Sequence, residues 1–330
     1  MQYIRYFTYI TILAVLLSGT AAALPTNTHG IVDGEMYVAA TANWPSRVTT
    51  NTIDVPNGSV VYAKYYVGVW TAGYTLSSIS TTFNGHAFPT YPSYYSSGMG
   101  VTWIPYNITD HVIPGAVNTV TVDSTNWGDG RQYGSTIVVV LENESKPQIE
   151  YWVAEGLDWL HYAGYLGYAV DNSTTHFNGA VDTAYVRSAN LYSTHLTGFN
   201  YEDLNGNPLP GASESVGGEY FNYLGWDGVE GLLVPENQTV LVSRGGDEYC
   251  SVVFHALSIE YEDKVCGDVT GDDLVDTGDV ILLSNYVGYS GYTLPKEWAG
   301  DVTGDGLIDT GDVILLSNYV GYPGYSLNCK

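Results

Sequence analysis

Two acidic turns in the last third of the chain recur at a fixed interval, and no other feature restricts the possible folds as tightly. Gly267-Asp268-Val269-Thr270-Gly271-Asp272 returns as Gly300-Asp301-Val302-Thr303-Gly304-Asp305, 33 residues on, and Thr277 to Tyr289 returns letter for letter as Thr310 to Tyr322. A repeat of this length is one supersecondary unit copied, and two copies bury a core that one cannot. Calcium takes six to eight hard oxygens, supplied in an EF-type turn by positions 1, 3, 5, 7, 9 and 12. Counted from Asp268, those positions hold Asp268, Thr270, Asp272, the carbonyl of Leu274, Asp276 and Asp279. Counted from Asp301, they hold Asp301, Thr303, Asp305, the carbonyl of Leu307, Asp309 and Asp312. Solvated Asp-Gly turns are the bland alternative, but one register kept twice, each time ahead of Val-Ile-Leu-Leu, argues for two bound Ca2+ ions. Short helices are expected over Val280 to Val287 and Val313 to Val320, with Gly288 and Gly321 as C′ glycines that stop them.

This pattern resembles type I dockerins, in which a loop and helix are duplicated without a preceding EF-hand helix and position 12 is Asp. The resemblance covers residues 266 to 330. It implies a cohesin-like protein partner, contacted here through Thr277, Gly278, Ser284 and Asn285 and through their copies Thr310, Gly311, Ser317 and Asn318. Because the copies are identical there, it also implies binding in two orientations. Two positions depart from the family: Thr stands at position 3, and Asp273 occupies position 6 of the first loop, where Gly is usual. A hydroxyl is a poorer calcium ligand than a carboxylate, and Asp tolerates a left-handed backbone less well than Gly.

The first residues supply the address. Arg5 precedes an apolar run, Ile10 to Leu17, and then Ser18-Gly19-Thr20-Ala21-Ala22-Ala23, so residues 1–23 read as a secretory signal peptide that leaves no membrane span once cleaved. The chain is therefore expected to be secreted, extracellular or attached to the cell surface. With 10 Lys and Arg against 35 Asp and Glu, its net charge is −25, which excludes nucleic acid and anionic lipid as main partners. Asn-x-Ser/Thr triplets at Asn57, Asn107, Asn143, Asn172 and Asn237 are glycan acceptor candidates in such a compartment.

A second, fainter duplication occupies the larger region. Glu35-Met36-Tyr37-Val38-Ala39 resembles Glu150-Tyr151-Trp152-Val153-Ala154, and the stretch from Tyr106 to Val122 matches that from Trp226 to Val242. Short β-branched and aromatic runs broken by Gly, Pro, Asn and Asp read as strands, and no long stretch has helical periodicity. The expected fold is mainly β, with two tandem jelly-roll-like antiparallel β-sandwiches, 30–145 and 146–263, ahead of a small helical calcium-binding domain at 264–330. Residues from about 30 to 262 also resemble an uncharacterised extracellular domain family of methanogenic archaea. Tyr66-Val67-Gly68-Val69-Trp70, Thr82-Phe83-Asn84-Gly85-His86 and Asp129-Gly130-Arg131-Gln132-Tyr133-Gly134 carry that likeness, with Ile149-Glu150-Tyr151-Trp152 and Tyr220-Phe221.

Of three cysteines, Cys266 and Cys329 bracket the repeated unit and are expected to pair, with a Cys250–Cys266 bridge as the other possibility. A search for catalytic motifs finds no His pair at helical metal-ligand spacing, no G-x-S-x-G elbow and no phosphate loop. Asp158, Glu155, Asp182 and Asp203 are acids that a hydrolase could use, and they read by default as turn and surface residues. Two functions remain: a non-catalytic surface or matrix protein displayed through the calcium unit, or a component that binds or degrades polysaccharide in a cellulosome-like complex.

Overall fold

A computed structural model describes residues 23–329, apart from residues 73–77, 91–92, 98–99, 127–128, 199–200, 247–248 and 263–264. The expected signal peptide lies outside the described residues except for Ala23. The protein divides into two compact units, Met1–Tyr261 and Glu262–Lys330. It is mainly β, with antiparallel sheets in the first unit and two twelve-residue helices in the second.

Nine strands precede the midpoint of the first unit: β1 Thr26–Ala42, β2 Val48–Val55, β3 Ser59–Trp70, β4 Ser80–Phe83, β5 His86–Ala87, β6 Tyr95–Ser96, β7 Val101–Asn107, β8 Ala116–Asp123 and β9 Arg131–Glu142. Nine follow: β10 Gln148–His161, β11 Asn172–Phe177, β12 Val186–Thr197, β13 Tyr201–Leu204, β14 Asn207–Pro208, β15 Glu214–Gly218, β16 Phe221–Asp227, β17 Gln238–Ser243 and β18 Tyr249–Tyr261. The duplication read in the sequence is a duplication of topology. One four-stranded sheet runs β2-β8-β4-β5 and the other β11-β17-β13-β14. The remaining strands run β15-β16-β12-β18-β10-β1-β9-β3-β7-β6, the same order read outward in both directions from β1 and β10.

Corner chemistry repeats with it. Asn118 receives the N–H of Ile113 (2.7 Å), donates to its carbonyl (2.9 Å), and accepts from Asn84 (2.7 Å). In the second half Gln238 receives the N–H of Val234 (3.1 Å), donates to its carbonyl (2.6 Å), and accepts from Asn205 (2.7 Å). Each amide satisfies the backbone of a turn that cannot pair with a strand.

Three cores separate the layers. Phe83 and Val120 of the first four-stranded sheet pack on Tyr65, Val67 and Ile137, and Phe177, Leu204 and Val240 of the second pack on Leu191, Val252 and Leu257. The third core was not foreseen: Tyr66, Trp103 and Val138 of the first half meet Leu196, Phe221 and Phe254 of the second. The two halves expected as tandem sandwiches thus also share a core. β9 and β18 are inner strands covered on both faces, so their burial is almost continuous, whereas β2 alternates because one of its faces meets solvent.

β1 joins the halves covalently as well. Residues Thr26 to Asp33 pair with β10 and Gly34 to Ala42 pair with β9. At the switch, a Cβ on Gly34 would lie 1.9 Å from the carbonyl oxygen of Leu141, so only glycine lets the strand cross there. The expected boundary at 144–147 is a turn between inner strands, closed by Lys146 N–H donating to Asn143 (2.8 Å).

In the second unit, α1 (Thr277–Gly288) and α2 (Thr310–Gly321) begin three residues earlier than expected. Asp276 caps α1 and Asp279 returns the favour to its backbone, a capping box that Asp309 and Asp312 repeat in α2. Gly288 and Gly321 are the last helical residues rather than left-handed C′ glycines, since extended Tyr289 and Tyr322 end the helices. Positive φ falls instead on Gly291 and Gly324. The small core gathers Val269, Leu283, Ala299, Val302 and Leu316.

Candidate functional site

The loops ahead of the two helices fold around their own aspartates. Asp268 Oδ1 accepts from the N–H groups of Gly271 (2.7 Å) and Asp272 (3.2 Å), and its Oδ2 accepts from Asp273 (3.0 Å). Asp279 reaches back from α1 to accept from Thr270 N–H (3.0 Å) and Asp276 N–H (2.9 Å). The second loop repeats the set: Asp301 accepts from Gly304 (2.8 Å), Asp305 (3.1 Å) and Gly306 (2.8 Å), and Asp312 from Thr303 (2.9 Å) and Asp309 (2.8 Å). Partial desolvation raises the Asp301 carboxyl, but the N–H groups of Gly306, Gly304 and Asp305 together hold it below the ordinary value.

Carboxylate oxygens of Asp268, Asp272 and Asp279 lie within 4.8 Å of one another. Two ligands of one calcium stand no more than about 5 Å apart, so the three fit a common ion, and Asp268 and Asp279 are buried with backbone N–H groups among their partners. Leu274 and Leu307 expose their side chains, which leaves only their carbonyls as ligand candidates. Thr270 and Thr303 donate their hydroxyls to Asp268 (3.2 Å) and Asp301 (3.4 Å). At position 6, Asp273 has φ +63° where Gly306 has φ +90°, so the first loop holds a side chain in the left-handed region.

Helices α1 and α2 leave a groove of about 420 Å³ between them, lined by Val280, Ile281, Ser284 and Asn285 and by their copies Val313, Ile314, Ser317 and Asn318. Of the expected partner contacts, the structure brings Ser284, Asn285, Ser317 and Asn318 together here. Thr277, Gly278, Thr310 and Gly311 are exposed at the helix starts and do not line it. Ile281 and Ile314, exposed at 57% and 58%, also line the groove and were not among the residues singled out in the sequence, although their place near a polar Ser-Asn pair was visible in the repeat.

Cys266 and Cys329 are bridged, with Cα atoms 5.5 Å apart, and Cys250 is buried in β18 outside any disulfide. Asn57, Asn107, Asn172 and Asn237 are exposed and Asn143 is half-buried, while Ser173, the middle residue of the Asn172 sequon, is buried. Three of the four acids considered for catalysis have a structural task. Glu155 is buried against Lys64 (2.6 Å) and Tyr66 (2.5 Å), Asp158 accepts from Ser173 (2.6 Å), and Asp203 accepts from Gly206 N–H (3.0 Å). Asp182 precedes the turn at Thr183–Tyr185 without a side-chain cap. A further convergence, His195, Glu202 and His255, comes from three strands and so escaped a search for helical spacing.

The family model described as "Protein of unknown function (DUF3344)" matches residues 19–260. No curated protein matches the chain. Among solved structures there is similarity to BuGH86wt in complex with neoagarooctaose, at 9% identity and a TM-score of 0.24 over 71% of this chain. This chain spans about a third of that one, 34%. The major capsid protein P2 from bacteriophage PM2 follows at 8% identity and 0.22, covering 72% of this chain and 99% of its own. PNGase F, a glycosylasparaginase from Flavobacterium meningosepticum, gives 10% and 0.23, with 71% and 96% covered. Scores this low carry no argument about fold or activity. No helix among the described residues is long and apolar enough to cross a membrane.

Proposed function

The chain belongs to the DUF3344 family, and from that premise we propose that it is a secreted, non-catalytic surface or matrix protein that docks through a calcium-dependent, dockerin-like C-terminal unit. The β unit is the displayed part and residues 262–330 are the plug. The repeated loop carries this reading: in the first copy aspartates from both ends of a twelve-residue turn converge, the second copy repeats their backbone hydrogen bonds, and each turn leads into a helix that helps to line the groove.

When bound, calcium supplies charge neutralisation. Asp268, Asp272 and Asp279 would hold one ion and Asp301, Asp305 and Asp312 the other, with Thr270, Thr303, Asp276, Asp309 and the carbonyls of Leu274 and Leu307 completing the sets. The chain's own residues do the rest. Asp276 and Asp309 start the helices, Leu283 and Leu316 pack them, and Ile281 and Ile314, at the same place in each copy, offer apolar surface in the groove. The partner is a cohesin-like protein surface with an apolar patch rimmed by hydrogen-bonding groups.

Pull-down from the native cell envelope with the full chain tests this directly. Expected is one protein partner retained in calcium and released by chelator. Equal capture in both conditions, or loss of capture without any bound calcium in either, sinks the docking role.

A further inference from the structure

We infer that His195, Glu202 and His255 form a closed binding site for one divalent transition metal of the zinc class, inside the second half of the β unit and separate from the calcium loops. His195 lies on β12, His255 on the neighbouring β18, and Glu202 on β13 of the facing sheet. All three are buried, at 0%, 0% and 6% exposure. Their ligand atoms lie within 4.8 Å of one another, with Glu202 Oε2 3.6 Å from His195 Nε2 and Glu202 Oε1 3.2 Å from His255 Nε2.

The 3.6 Å separation is too long for a hydrogen bond, and both separations match ligands of a shared ion. Two ligands at tetrahedral positions about 2.0 to 2.1 Å from zinc stand about 3.3 Å apart. Neither Glu202 oxygen nor His255 Nε2 has a hydrogen bond of acceptable alignment. Thr175 Oγ1 sits 2.8 Å from His255 Nδ1, the outer partner that turns Nε2 toward the carboxylate. Ser193 Oγ lies 2.9 Å from His195 Nε2 and lines the same space. Among the described residues, the basic groups within ion-pair distance of Glu202 are these two imidazoles. A buried carboxylate is costly unless a charge is paired with it, and a divalent cation supplies that charge. Imidazole and carboxylate are donors that zinc accepts, and three of them leave a fourth position beside Ser193 Oγ.

The duplication supplies a control within the chain. His255 pairs with Ala154 and Ser193 as Ile137 pairs with Ala39 and Tyr65. Counted along the strands from that pair, His195 stands where Val67 does, across an irregularity in the β12–β18 pairing between Thr194 and His195, and Glu202, three residues before Asn205, corresponds to Thr81, three before Asn84. Val67, Ile137 and Thr81 are buried in an ordinary core. The fold therefore closes at this place without an imidazole or a carboxylate, and the second half has acquired all three.

The test uses the full chain refolded metal-free, with excess calcium present to fill the acidic loops. Titration with Co2+ is expected to give visible ligand-field absorption that saturates at one equivalent and is bleached by one equivalent of Zn2+, with a raised melting temperature. The H195V/E202T/H255I variant, which copies the first half, is expected to keep the wild-type circular dichroism and to show no band. If that variant does not fold, E202Q is read instead, with Zn2+ affinity at least about tenfold weaker. Absence of both the band and the melting shift in the wild-type chain, or their persistence in the variants, overturns the site.

Discussion

Replacing Phe221 with Ala separates a shared core from two independent sandwiches. The ring is fully buried in the central core, and a Cβ on Gly134 would sit 2.4 Å from its Cδ2, so the aromatic edge fills space that a glycine leaves open. Gly134 belongs to β9 of the first half and Phe221 to β16 of the second. Truncating a buried Phe costs about 3 to 5 kcal/mol through lost transfer energy and the cavity left behind. Gly134→Ala pushes a methyl group into the ring and costs about 1 to 3 kcal/mol. The double variant G134A/F221A gives the methyl the vacated space, so its loss should fall short of the sum by about 0.5 to 3 kcal/mol. Urea unfolding followed by tryptophan fluorescence reads the totals, and hydrogen exchange reads β9 and β18 separately. Both strands should lose protection equally in F221A. Unchanged protection of β9 while that of β18 falls would refute the shared core, as would strict additivity in the double variant.

Four further outcomes are expected. C266S/C329S should weaken the second unit by about 4 kcal/mol on the chain-entropy estimate for its 63-residue separation, seen as a lower calcium-dependent melting temperature. Asp279→Asn should remove one calcium equivalent in calorimetry while leaving the second loop's affinity intact, and an undiminished stoichiometry of two would count against the ligand set. Asp273→Gly relieves a side chain held at φ +63° and should tighten the first loop by about 1 kcal/mol in calcium binding. I281D/I314D should abolish partner capture while calcium binding, measured by titration, stays at the wild-type level.

Much of this molecule was legible in its sequence, for identifiable reasons. The acidic loops are local: position 1 and position 12 are eleven residues apart, so spacing alone brings Asp268 to Asp279 once the turn forms. Pairing of Cys266 with Cys329 followed from their places at the edges of one small unit. Helix starts were misplaced because Asp276 and Asp309 were read only as ligand candidates, although an Asp three residues before another at a helix start is also a cap. Strand existence and duplication were legible because alternation and self-similarity survive in one dimension.

What neither pattern carries is which faces meet. Tyr66 and Tyr65 are neighbours in β3, and both read as buried aromatics, yet one packs across the halves against Phe254 and the other packs within the first half against Phe83. The crossing of β1 at Gly34 depends on the carbonyl of Leu141, more than a hundred residues away. His195, Glu202 and His255 converge only because β12, β18 and β13 lie in facing sheets. The sequence by itself determined the repeats and the local loops, whose geometry rests on contacts a few residues long. Tertiary structure alone decided the shared core and the buried triad, because both are made by residues that meet only when one sheet closes on another.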